Sequence, residues 1–176
     1  DRTPCGERKT RKSDRLLGGM TMEPIQAPIT GSEDYSDPSR PEHALRQFYR
    51  AFNGRDLTLM SENWWQSEEI AMDNPLGGIK RGWTEIRSVY ERLFNGPARV
   101  YVEFHDYTLH VTPELFYAVG RERGRFESAE KKLELRIRTS RIYRISGGLW
   151  KQVHHHGSIE SPELLAAYQS AVSGAR

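Results

Sequence analysis

Residues 150–158 read WKQVHHHGS, so Trp150, Gln152, His154, His156 and Ser158 alternate with Lys151, Val153, His155 and Gly157. A period of two belongs to a strand, where successive side chains point to opposite faces. The preceding KLELRIRTSRIYRI (132–145) alternates too and is followed by Gly147-Gly148, a pair suited to a two-residue hairpin loop. With that loop, Ile145 stands opposite Trp150, Tyr143 opposite Gln152, Arg141 opposite His154 and Thr139 opposite His156. This face is apolar near the turn and polar farther on. The other face sets Arg144 beside Lys151, a like-charge pair that belongs in water. The first face is therefore expected to point inward, leaving His155 outside. A longer loop or a bulge would exchange the faces beyond it.

Upstream, RVYVEFHDYTLHV (99–111) and LFYAVGRERGRFES (115–128) extend the alternation, giving four long strands joined by short turns. Before them the period is helical. In PEHALRQFYRAFNGRDL (41–57), Leu45, Phe48, Tyr49 and Phe52 share one face, and Asn53-Gly54 is a stop signal. Asp56 is placed to cap a short second helix carrying Met60, Trp64 and Trp65. EEIAMDNPLGGIKRG (68–82) reads as a short strand broken by a turn, WTEIRSVYERLFNG (83–96) as a helix, and SPELLAAYQSAV (161–172) as a capped terminal helix. Helices against an antiparallel sheet make an α+β domain.

Composition limits the function. The chain has 176 residues, 26 basic against 24 acidic side chains, and 36% hydrophobic residues. This balance gives no reason to expect nucleic acid or a membrane as partner. Residues 1–40, dense in charge, Pro, Ser and Gly, are expected to form a disordered or extended tail, and 41–172 the folded domain. Met20 and Met22 are plausible starts of the native protein. The single cysteine, Cys5, and a charged N-terminus without an apolar stretch fit a cytoplasmic location. Phosphate loop, nucleophile elbow and dinucleotide fingerprint are all missing, so no cofactor is expected.

The strings FYRAFNGRDL, DNPLGGIKRGWTEIRSVYERLF, RTSRIYR and WKQVHHHGS, in this order, resemble the SnoaL-like domains of the nuclear transport factor 2-like and ketosteroid isomerase-like superfamily. The resemblance covers Pro41 to Val172. It implies a cone-shaped barrel, a curved antiparallel sheet wrapped around N-terminal helices (the cystatin-like α+β roll), with a pocket at the open end and pairing into a homodimer through the sheet. It does not imply one activity, because the fold hosts isomerases, cyclases, dehydratases, hydrolases and association domains. The ketosteroid isomerase pattern is not met residue by residue. Its base is an aspartate directly before proline, where this chain has Asn74, with Asp73 one position earlier. Its oxyanion tyrosine would fall near Phe48, and Tyr49 is rotated from there by about 100°. Its second oxyanion donor would fall near Ser140 or Arg141.

Two functional readings follow. In one, the domain is a cofactor-free isomerase, cyclase or lyase acting on a hydrophobic carbonyl compound. His156 or His154 moves a proton, Arg141 stabilises an oxyanion, and Asn74, Asp73, Trp64, Tyr49, Tyr117 and Thr139 line the pocket. In the other, it is a non-catalytic ligand-binding or dimerisation domain whose histidines hydrogen-bond within the sheet. Two histidines at i and i+2 could share a metal with His105, Asp106, His110 or Glu122 as a third ligand, but no second motif pins one, and no metal is expected.

Overall fold

The computed structural model describes residues 22–34 and 37–174. Cys5, Met20 and most of the expected tail thus lie outside the described residues. Three helices come early: α1 (Pro41–Gly54), α2 (Leu57–Asn63) and α3 (Gly82–Asn95). The short strands β1 (Ala71–Asp73) and β2 (Ile79–Arg81) separate α2 from α3. Four long strands follow, β3 (Arg99–Val111), β4 (Leu115–Glu127), β5 (Lys132–Ser146) and β6 (Leu149–Ile159), and α4 (Pro162–Gly174) ends the fold.

Local chemistry explains the helix ends. Asp56 caps α2, its side chain accepting from the Leu59 amide at 2.9 Å. The left-handed residue that ends α1 is Arg55 (φ 56°), one beyond the expected Asn53-Gly54 stop. Its guanidinium donates to the Phe94 carbonyl at the C-terminus of α3, where a cation also complements the helix dipole. Asn53 is the opposite kind of tie. Its side chain donates to the Thr30 and Val102 carbonyls and accepts from the Val102 amide, fastening α1 to β3 and to the segment before it. That segment runs beside β3 through the bridges Ile25–Tyr107 and Ile29–Phe104.

The six strands form one curved, open sheet in the order β2-β1-β6-β5-β4-β3. It is antiparallel except that β1 runs parallel to β6. Two devices bend it. In β3 a bulge lies between His105 and Thr108. On β4, a side chain at Gly124 would overlap the Tyr101 carbonyl, so this crossing tolerates only glycine. The concave face takes up α1 to α3, burying Leu45, Phe48, Tyr49, Met60, Trp64, Ile86 and Tyr90 against Phe104, Phe116, Phe126, Leu135 and Tyr143. Burial of this kind stabilises by about 1.5–3 kcal/mol per large side chain.

The hairpin register corrects the sequence reading. Ile145 pairs with Trp150 and Tyr143 with Gln152, as the two-residue loop requires, but Ile142 then pairs with His154, Arg141 with His155 and Ser140 with His156. Val153 is the extra residue of a bulge. It sits where β6 changes its other neighbour, from the Trp64–Trp65 segment bonded to Gln152 to β1, which begins at Ala71 opposite His154. Beyond the bulge the faces are exchanged. His155 turns inward and is buried, whereas His154 and His156 lie on the outer face.

Candidate active site inside the cone

The inner face of β4 reads Phe116, Ala118, Gly120, Glu122, Gly124, Phe126: one acid among apolar and glycine positions. Glu122 is only 4% exposed and has two partners on one oxygen. Tyr49, from α1, donates its hydroxyl to Oε1 at 2.6 Å, and Arg141 Nη2, from β5, donates to the same atom at 2.8 Å. Arg141 Nε also donates to the Tyr49 hydroxyl at 3.3 Å, and its Nη1 to Gln152 Oε1 at 2.9 Å. The guanidinium carbon stands 3.5 Å from the Phe48 ring centre, so the cation has an aromatic face as well as an anion. A buried charge persists only when paired in this way.

Around this pair the polar groups are not all satisfied. Among the described residues, Thr139 Oγ1, Tyr143 Oη, Gln152 Nε2 and His155 Nδ1 are buried without a hydrogen-bond partner. All four belong to β5 and β6. Each such group costs about 1–3 kcal/mol relative to a satisfied one. Others, Asn63 Oδ1 and Trp64 Nε1 among them, lie toward the helices, but these four share one wall.

Protonation follows from the same burial. Burial raises the Tyr143 phenol well above its ordinary range, against the Arg141 charge, so the hydroxyl stays a donor. The Tyr49 phenol is raised for the same first reason. Tyr90, behind them on α3, is pushed up to about 12, again by burial. Burial disfavours the charged Arg141, yet Tyr49 and Glu122 more than offset it and hold the guanidinium above its usual value. His155 is driven well below an ordinary imidazole, first by burial and then by Arg141; a contact with the Ser140 backbone acts in the opposite sense. It is neutral at physiological pH.

The residues expected from the sequence divide between two places. Arg141, Tyr49, Thr139 and Trp64 are buried inside the cone. Asn74 lies in the turn between β1 and β2, its Oδ1 accepting from the Leu76 amide. Pro75 packs onto Gly157 of β6, where a side chain on the glycine would overlap the proline ring. His154 donates to the Ala71 carbonyl from Nδ1 at 3.1 Å, and His156 to Asp73 Oδ2 at 2.8 Å. Tyr117, exposed on the outer face, stacks on His110 at 4.4 Å. The sequence reading put Tyr143 and Gln152 on the inward face without giving them a role, offered Glu122 only as a possible third metal ligand, and left His155 outside. Glu122 was detectable as the lone acid on an otherwise apolar alternation, whereas nothing local to HHH announces a bulge.

The fold agrees with what comparison shows. The model of the SnoaL-like domain matches residues 42–162. The chain belongs to the SnoaL-like family. Comparison with curated proteins finds no match. Among solved structures, a proposed dehydratase of the nuclear transport factor 2-like family from Streptomyces avermitilis is similar at a TM-score of 0.61 and 16% identity, over 66% of this chain and 90% of that one. A protein with a cystatin-like fold from Caulobacter vibrioides is similar at 0.57 and 17%, over 75% and 94%. A nuclear transport factor 2-like superfamily protein from Salmonella enterica is similar at 0.58 and 18%, over 67% and 87%. At these identities the likeness speaks for the SnoaL-like fold alone. No helix among the described residues is long and apolar enough to cross a membrane.

Proposed function

We propose that this SnoaL-like domain binds a hydrophobic carbonyl compound inside the cone and moves a proton on it, an isomerase-type reaction. The observation that carries this is the set of four unsatisfied polar atoms on the wall around Arg141. A ligand carbonyl accepting from the Tyr143 hydroxyl and the Gln152 amide would satisfy two of them, beside the aromatic rings of the core. Neutral His155 would accept the proton from the carbon beside the carbonyl at Nδ1. The electron pair moves onto the carbonyl oxygen, and the imidazolium, exchanging its proton with solvent, returns a proton at this or at another carbon of the dienolate. A weak base suffices when the developing oxyanion is held, here by Tyr143 with the Arg141 charge behind it. His155 takes the role that the sequence reading assigned to His154 and His156.

The test is a titration of cyclic enones and β,γ-unsaturated ketones, followed by melting temperature and by deuterium uptake next to the carbonyl. Saturable binding is expected, weakened about tenfold in Tyr143→Phe, the loss of one hydrogen bond. His155→Gln is expected to keep binding and to abolish deuterium uptake. Binding without uptake in the unaltered protein would favour the non-catalytic reading. Binding indifferent to Tyr143→Phe would place the ligand elsewhere and overturn the proposal.

A further inference from the structure

The outer face of the same strands carries a different arrangement. Arg121 pairs in register with Arg138, and Arg123 with Arg136, so two like-charge pairs lie side by side on β4 and β5. Such neighbours repel unless each finds an anion. Arg121 has two, Asp106 at 3.2 Å and Glu160, and Arg123 has Glu103 at 2.6 Å. Arg136 and Arg138 have no side-chain hydrogen bond or ion pair among the described residues. Among the described residues, the sheet thus leaves two guanidinium groups in line on one strand without an anion.

Arg138 opens into a groove of about 430 Å³, lined also by Val119, Ser140, His156, Ser158 and, from the segment beside β3, Pro24. Arg138 is paired with Ser158 and Ser140 with His156, which sets one cation, two hydroxyls and one imidazole at the corners of a square. Neither serine hydroxyl is hydrogen-bonded among the described residues. Asp73 occupies Nδ1 of His156, holding the ring and leaving Nε2 unengaged. The rim is held as well: Asp106, at φ 49° in the β3 bulge, accepts from Gln26 at 2.9 Å and from Arg121. The carboxylates near the groove are thus already engaged, whereas Arg138 is not.

We infer that this groove is a second site, for a small ligand whose oxyanion head, carboxylate or phosphate, sits on Arg138 between the Ser140 and Ser158 hydroxyls, with a short apolar body along Val119 and Pro24. Arg138 supplies the forked donors that suit such a head, and Ser140 and Ser158 add hydroxyl donors. Arg138, Ser140, His156 and Ser158 lie on the face of β5 and β6 opposite the cone interior.

Titration of the full chain with benzoate, phenyl phosphate, acetate and inorganic phosphate, followed by backbone amide shifts and calorimetry, tests it. Benzoate or phenyl phosphate is expected to saturate, with shifts at Ser140 and Ser158, and to bind more tightly than acetate or inorganic phosphate. The preference between the two aromatic probes identifies the head group as carboxylate or phosphate. Arg138→Gln, an exposed substitution, is expected to weaken binding at least tenfold and His156→Asn by less, while Tyr143→Phe leaves it unchanged. Binding by none of the probes, shifts confined to inner-face residues, or equal affinity in Arg138→Gln would each overturn the inference.

Discussion

Arg138 and Arg141 stand three residues apart on one strand, and their surroundings are opposite. Arg141 is buried, with Glu122, Tyr49, Gln152 and the Phe48 ring around it. Arg138 is exposed, with another arginine as its neighbour in register. The residue type does not decide the role; the parity of its position does. An arginine on the inner face must be matched inside the molecule or it cannot be buried at all. On the outer face it can remain unmatched at little cost, because water screens it. The inner face thus commits its charge to the fold, and the outer face keeps its charge available.

The widest gap between the two should appear in stability. Glu122→Leu leaves the Arg141 cation buried without its anion and is expected to cost about 3–5 kcal/mol in urea denaturation. Adding Arg141→Met should recover most of that loss, since the pair as a whole contributes less than its disruption costs. If Glu122→Leu is nearly neutral, the inner charge is not matched as described. Next in size is a pH effect from His155. Its folded pKa is depressed below the ordinary 6.5, so between these values the unfolded chain binds the extra proton. Stability from this group is therefore complete above about pH 6.5 and declines as the pH falls toward the folded value, at up to about 1.4 kcal/mol per unit. Urea midpoints measured from pH 7.5 to 5 should show this slope, and His155→Gln should flatten it. The smallest effect belongs outside: Arg138→Gln should alter stability by less than about 0.5 kcal/mol, and a loss of several times that would show that the outer face is not free.

The order of helices and long strands was legible from period, while the curved cone came only with the family resemblance. The switch from helical spacing through Phe94 to alternation from Arg99 marks where helices give way to sheet, and the Gly147-Gly148 loop did set the first pairs of the last hairpin. The Asp56 cap was readable too, because capping is local. The site was less so. Arg141, Tyr49, Thr139 and Trp64 lie inside, but His155 was exchanged with its neighbours by one extra residue, Val153. That bulge answers to a third strand: β6 changes partner there, and no string within the hairpin carries this information. The parallel β1–β6 pair was hidden for the same reason, since its residues are far apart in the chain and three residues of strand leave little periodic signal.

That parallel pair also bears on the order of assembly. Ala71–Asp73 reaches the long strands along His154–His156, which come far later in the chain. During synthesis, β1 and β2 leave the ribosome long before the strand that receives them, and a three-residue hairpin arm does not hold by itself. The early helices must wait for the last hairpin before their wall is complete. Closing so long a loop is the kind of non-local step that slows folding. WKQVHHHGS is thus the segment whose arrival lets the rest of the molecule close.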